Sequence, residues 1–299
     1  MFAHIHKITF RVSFSAQAKG RLPAYLGSTL RGLIGHSLRK MVCATPQVKC
    51  HVCPVASNCD YANYFMSPKN AAGSVNRMIL TPITGNQTEW HKGDICCFNV
   101  TLLSDAPVPL FIQVFENMNH LGWGAARLPF KLQKITNQDT GRLVWFNDQI
   151  WYENILPQPL TVSTQQASSV LLTFTAPLRL EQSKVLIEKP AFYQIIKAIA
   201  RRLELLSKAY TTSDVTWDYA SMLAAAKAVK LVDCEWQPTS FTRYSMNQKN
   251  QALTMEVLTG WGQYEGDITP FTPLLEAGSL LHIGRNATHG FGSYHINYA

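Results

Sequence analysis

Residues 278–294 read Gly278-Ser279-Leu280-Leu281-His282-Ile283-Gly284-Arg285-Asn286-Ala287-Thr288-His289-Gly290-Phe291-Gly292-Ser293-Tyr294. The Gly-aromatic-Gly triplet at 290–292 leads into a last strand-like run, Ser293 to Tyr298, and it has an echo at Gly122-Trp123-Gly124. The two triplets lie 168 residues apart, and the strands that open each half, near His4 and Ser169, lie 165 apart. Such agreement predicts a duplicated unit, with a boundary near residue 160 inside the Pro157 to Ser168 stretch.

Working outward, Phe2, His4, His6, Ile8, Phe10, Val12 and Phe14 alternate with polar residues, the period of a strand. Leu26, Leu30, Leu33, Ile34, Leu38 and Met41 then recur at helical spacing, with Ser28, Gly32, Gly35, His36 and Arg39 gathered on the opposite face. Strand-like runs at Met78 to Ile83 and Ile95 to Leu103, a helical stretch from Pro109 to His120, and strands at Lys131 to Ile135 and Leu143 to Phe146 follow. The second half repeats the pattern. Ser169 to Leu178 is a strand and Ala191 to Tyr210 a helix, with strands at Lys230 to Trp236, Thr239 to Ser245 and Leu253 to Gly260 before the last run. The order predicts an α+β chain of two tandem ferredoxin-like (RRM-like) βαββαβ domains, 1–160 and 161–299, with a small cysteine knuckle at 43–61 inserted in the first.

The 299 residues are 46% hydrophobic and 11% aromatic, enough to bury two cores and too apolar for global disorder. Charged residues are only 15%, yet 27 Lys and Arg against 19 Asp and Glu leave a net charge of +8, a balance that favours a polyanionic partner. No window approaches 18 consecutive apolar residues, and the N-terminus alternates where an export signal would be continuously apolar, so the chain is expected to be cytoplasmic and free of the membrane.

Three local signals bear on chemistry. Cys43-x6-Cys50-x2-Cys53-x5-Cys59 places four thiols within 17 residues, sufficient for a closed tetrahedral thiolate shell. Structural zinc is the expectation; an iron–sulfur cluster and a redox pair at Cys50 and Cys53 have the same residues at their disposal. In the terminal glycine run, Gly284, Gly290 and Gly292 would let backbone N–H groups turn toward a phosphate and Arg285 would supply a full charge, whereas a tight hairpin without ligand fits the same spacing. The following helix of a dinucleotide fingerprint and the Walker lysine are both missing. His36 shares its helical face with Gly32 and Arg39, so an imidazole that moves protons near neutral pH would stand beside a cation and a position where backbone is accessible. An exposed helical histidine without a role fits equally.

Taken together, Leu26-Gly-Ser-Thr-Leu-Arg-Gly-Leu-Ile-Gly-His-Ser-Leu-Arg-Lys40, the four cysteines with Cys53-Pro54 and Cys59-x-Tyr61, Leu172-Thr-Phe-Thr-Ala-Pro-Leu-Arg-Leu180, Arg243-Tyr244-Ser245 and His282-x-Gly284-x5-Gly290-Phe-Gly292-x-Tyr294 resemble the repeat-processing endoribonucleases of CRISPR systems. That family belongs to the superfamily of repeat-associated RNA-binding proteins. The resemblance implies metal-independent cleavage of precursor CRISPR RNA within each repeat. A 2′-hydroxyl attacks the adjacent phosphate to leave 2′,3′-cyclic phosphate and 5′-hydroxyl ends. It implies His36 as general acid or base, with Tyr25 and Lys40 as helpers, and an RNA track formed by Arg31, Arg39, Arg201, Arg202, Arg243, Gly284, Arg285, His289, Gly290 and Gly292. It also implies repeat RNA as partner, with other CRISPR effector subunits beside it, and structural zinc on Cys43, Cys50, Cys53 and Cys59 without a catalytic metal. A catalytically inactive guide-RNA scaffold would share most of these residues, and a zinc-ribbon module that binds DNA or protein would share the cysteines.

Overall fold

The computed structural model describes residues 2–65, 75–104, 107–213, 215–245 and 251–299. Two compact units divide it: Ile5–Pro159, and Leu160–Ala299 together with the N-terminal tail through His4.

The first unit is built on β1 (His6–Ala16), α1 (Gly27–Val42), α2 (Asp60–Phe65), β2 (Met78–Ile83), β3 (Ile95–Leu103), α3 (Val108–Asn117), β4 (Leu128–Asn137), β5 (Leu143–Phe146) and β6 (Gln149–Ile150). The strands lie in the order β2-β3-β1-β4-β5-β6, and every neighbouring pair is antiparallel. Counting only β1, β2, β3 and β4, this is the 2-3-1-4 order of a βαββαβ sandwich. The alternation in β1 sends Ile8, Phe10, Val12 and Phe14 into a core shared with Leu30, Leu33, Ile34 and Leu38 of α1 and Phe111, Ile112 and Phe115 of α3. Opposite that core, Thr9 and Thr101 meet hydroxyl to hydroxyl at 3.0 Å across the β1–β3 ladder. The period-two run starts later than its sequence suggests. Phe2 meets Trp217 with the rings tilted at 54° and His4 Nε2 lies 2.8 Å from Ser207 Oγ, both in the second unit, so only the residues from His6 onward pair as strand.

The second unit contains β7 (Ser169–Leu178), α4 (Phe192–Tyr210), α5 (Tyr219–Ala228), β8 (Lys230–Ser245), β9 (Gln251–Glu265), α6 (Thr272–Leu281) and β10 (Tyr294–Tyr298). Its sheet runs β8-β9-β7-β10, the same 2-3-1-4 order, again antiparallel throughout. The duplication predicted from the triplets therefore extends to topology. Trp123 and Phe291, the aromatics of the two triplets, are both fully buried. Sequence reading breaks β8 at Pro238, but the strand continues through it because β8 is the edge of the sheet, where a missing N–H costs no ladder bond. Two helices were not anticipated. Asp218 caps α5 by accepting from the Ser221 backbone N–H at 3.1 Å, and α6 absorbs Gly278 to Leu281, the start of the glycine run.

Among the described residues no helix is long and apolar enough to cross a membrane.

Candidate active site

In the first unit the candidate residues lie along α1. Its apolar face packs inward at Leu30, Leu33, Ile34 and Leu38, and Ser37 donates to the Val114 carbonyl at 3.0 Å, tying α1 to α3. Arg39 and Lys40 occupy the last turn, where cations complement the carbonyl end of the helix. Gly32, His36 and Lys40 are all exposed and follow one another at intervals of one turn, so they share one face. A Cβ built at Gly32 would meet nothing within 4 Å, which leaves the helix backbone beside His36 open to an approaching ligand.

Gly35 does not share this face, contrary to the sequence expectation. It is buried, and a Cβ there would stand 2.8 Å from the Phe65 ring of α2. Tyr25, just before α1, is half-buried, and burial raises its phenol well above the ordinary value. The Tyr25 hydroxyl therefore stays protonated and suits orientation better than proton exchange.

Arg31 and Arg39, expected on the RNA track, are engaged within the protein. Arg31 lies over the Phe65 ring at 5.2 Å and donates to the Phe65 carbonyl at 3.1 Å. Arg39 lies over Tyr61 at 5.8 Å and donates to the Pro46 carbonyl at 3.1 Å. Tyr61 and Phe65 stack on each other with centroids 5.5 Å apart, so two guanidinium groups and two rings fasten α2 alongside α1.

The cysteine knuckle folds as short helical turns at Cys50–Val52 and Ala56–Asn58. Among the described residues no group of three or more His, Cys, Asp and Glu side chains is placed to hold a metal ion, and Cys43, Cys50, Cys53 and Cys59 are free thiols. Arg39 hydrogen-bonds the Cys43 side chain with Cys50 nearby, and Cys53 Sγ pairs with Thr45 Oγ1 at 3.3 Å.

In the second unit several backbone donors of the glycine run bond within the protein. The N–H groups of Arg285, His289, Gly290, Phe291 and Gly292 donate to the carbonyls of Arg179, Asn286, Ala287, Asn286 and Pro177. These five donors are spent inside the protein and pack the loop against residues 177–179 and its own turn. Its glycines serve close approach. Gly284, at φ +74°, would place a Cβ 2.5 Å from the Arg179 carbonyl oxygen, and Gly292, also at φ +74°, would place one 1.8 Å from that of Ile283.

Gly290, Gly292 and His289 are buried, the last at 6% exposure. His282, fully enclosed, has its pKa lowered to about 3 by burial and by the nearby Arg202, with Nδ1 3.1 Å from the Phe291 carbonyl. Arg202 was expected on the basic track. It is instead half-buried with its Nε enclosed, and desolvation pulls its guanidinium down to about 10. Arg201 remains exposed on α4, 3.4 Å from Glu204. Arg243 stands opposite Leu253 in the β8–β9 register, and its side chain lies outside the described residues. Of the loop candidates, Arg285 keeps an exposed side chain, at 65%.

A family model named AF_1859_N and described as an N-terminal domain matches residues 5–160, and one described as CRISPR-associated endoribonuclease Cas6 matches residues 172–294. An uncharacterized protein of Archaeoglobus fulgidus is 21% identical over 285 residues, covering 92% of each chain. Thermus thermophilus Cas6 superposes with a TM-score of 0.58 at 11% identity, covering 98% of this chain and 99% of that one. A chain of a partial Cas6-RT-Cas1–Cas2 complex superposes at 0.60 and 12% identity, covering 99% of this chain and 46% of that one. At these identities the structural likenesses are likenesses of fold.

Proposed function

The chain belongs to the AF_1859_N family through its N-terminal half and to the CRISPR-associated endoribonuclease Cas6 family, and from that premise we propose that it cuts precursor CRISPR RNA inside the repeat, in the cytoplasm, with His36 moving a proton. One observation carries the assignment: His36 is exposed at the middle of α1 with open backbone one turn before it at Gly32 and a cation one turn after it at Lys40.

In the proposed reaction the ribose 2′-oxygen attacks the neighbouring phosphorus in line. The bond to phosphorus forms as the bond to the 5′-oxygen breaks, leaving a 2′,3′-cyclic phosphate and a 5′-hydroxyl. A base must take the 2′-hydroxyl proton and an acid must deliver one to the departing oxygen. Either step suits an imidazole and contributes about 10²–10⁴-fold. Lys40 offsets the charge that builds on the phosphoryl oxygens. Tyr25, held protonated, orients the phosphate by hydrogen bonding. No step is routed through a metal.

The test is incubation with the cognate repeat RNA in excess chelator, beside the same RNA carrying a single 2′-deoxy sugar at the cut. The reading expects cutting of the first, retention of the second, and a cyclic phosphate on the upstream product. Tight binding of both without cutting identifies a guide-RNA scaffold. Binding that ignores RNA and selects DNA or protein identifies a module organised around the cysteine knuckle.

A further inference from the structure

The side chain of Arg285 does not stand alone. Its Nε lies 2.9 Å from Oε2 of Glu181, and the other oxygen of the same carboxylate, Oε1, lies 2.7 Å from Nη2 of Arg179. Glu181 is therefore a bridge, each oxygen taken by a different guanidinium, and its side chain is only 9% exposed. The backbone reinforces the bridge. Gly284 turns at φ +74° close against the Arg179 carbonyl, which lets the Arg285 N–H donate to that oxygen at 2.9 Å. Residues 179, 181 and 285 are thus fixed to one another by main chain and side chain together.

We propose that Glu181 is a positioning residue for RNA binding: it spends the Nε edge of Arg285 on itself, and so aims the terminal Nη groups at a phosphodiester of the repeat. This proposal rests on the reading of the chain as a repeat-RNA endoribonuclease. Arg285 is 65% exposed while the carboxylate that grips it is nearly enclosed, so the fixed end faces protein and the free end faces solvent. A guanidinium with one edge committed presents its remaining donors in a set direction, and less side-chain freedom is lost when a phosphate arrives. The charge balance also suits an anion. Two arginines against one carboxylate leave a net positive charge at the site, with Arg285 the exposed member.

The sign of one substitution separates positioning from bulk electrostatics. Removing an acid from an RNA-binding surface should, on charge alone, tighten binding. The positioning role demands the opposite. Affinity for uncleavable 2′-deoxy repeat RNA would be measured against salt for wild type, Glu181→Gln, Glu181→Asp, Arg285→Ala and the Glu181→Gln/Arg285→Ala double variant, with melting temperatures alongside. Glu181→Gln is expected to weaken binding about tenfold and to lower the slope of log K against log salt by up to about one unit, as loss of one phosphate contact does. Glu181→Asp, which keeps the charge but is too short to hold both guanidinium groups, should fall between. In the Arg285→Ala background the effect of Glu181→Gln should shrink to within about twofold, since nothing remains to be aimed.

Wild-type or tighter binding by Glu181→Gln, or the same loss with Arg285 already gone, overturns the proposal while leaving the endoribonuclease reading intact. So does a binding loss that merely follows melting temperature across all the variants. A wild-type chain that does not bind repeat RNA overturns both.

Discussion

The guanidinium carbon of Arg31 sits 5.2 Å from the centroid of the Phe65 ring, and the same group donates to the Phe65 carbonyl. Arg31 thus holds α2 to the helix that carries His36, and its charge is spent inside the unit. Arg31→Ala is expected to lower stability by about 1–2 kcal/mol, from the lost cation–ring contact and hydrogen bond. Lys40→Ala should leave stability within about 0.5 kcal/mol and act on cleavage instead, because Lys40 is exposed. Denaturant unfolding of both variants, set against their single-turnover rates, checks the contrast.

Two glycines three residues apart on α1 should respond in opposite directions. Gly35→Ala drives a methyl against the Phe65 ring, which stands 2.8 Å from the Cβ position, and should destabilise by about 1–3 kcal/mol. Gly32→Ala meets nothing within 4 Å and should stabilise the helix by about 0.5–1 kcal/mol. Because RNA is proposed to approach the backbone at Gly32, that more stable variant should nevertheless cut more slowly. Melting curves and cleavage rates of the pair settle the point.

The buried His282 imposes a pH dependence on stability. Its folded pKa of about 3 lies below the ordinary 6.5, so between those values the unfolded chain takes up a proton that the native protein refuses. Its neutral burial therefore costs nothing above about pH 6.5, and stability falls as pH drops from there toward about 3. Urea unfolding should give a free energy about 1–2 kcal/mol lower at pH 5 than at pH 7.5 from this group. His282→Gln should flatten that slope.

Gly292→Ala is expected to damage the terminal loop outright, because a Cβ would stand 1.8 Å from the Ile283 carbonyl at a φ that disfavours side chains. A cost above about 2 kcal/mol follows, together with loss of RNA affinity. Gly141→Ala, also at positive φ but with nothing within 4 Å, is the control for backbone strain alone. Comparison of the two by thermal melting isolates the steric part.

The fold was readable because both of its signals are periodic. Alternation in β1 and β7 and the helical stripes of α1 and α4 each specify an element and the face it buries. The echo between Trp123 and Phe291 marked two buried aromatics in corresponding places. The cysteine spacing fixed how far apart the thiols lie along the chain, but not that Arg39 would enter among them or that Cys53 would turn to Thr45. Glycine spacing likewise reported tight backbone without saying whether its N–H groups face a ligand or the protein. The resemblance put Arg202 on the RNA track, whereas packing half-buries it near His282. Glu181 gave no signal at all, since its role is defined by two arginines brought to it from 179 and from 285 only once the chain has folded.

The central claim is that the His36 imidazole takes part in breaking the phosphodiester. The direct measurement is the single-turnover rate of repeat cleavage, in chelator and at saturating protein, for wild type and His36→Ala, with the affinity for uncleavable RNA measured in parallel. The account predicts a fall of at least about 100-fold in rate with affinity changed by less than about threefold. A His36→Ala protein that cuts at the wild-type rate would contradict it.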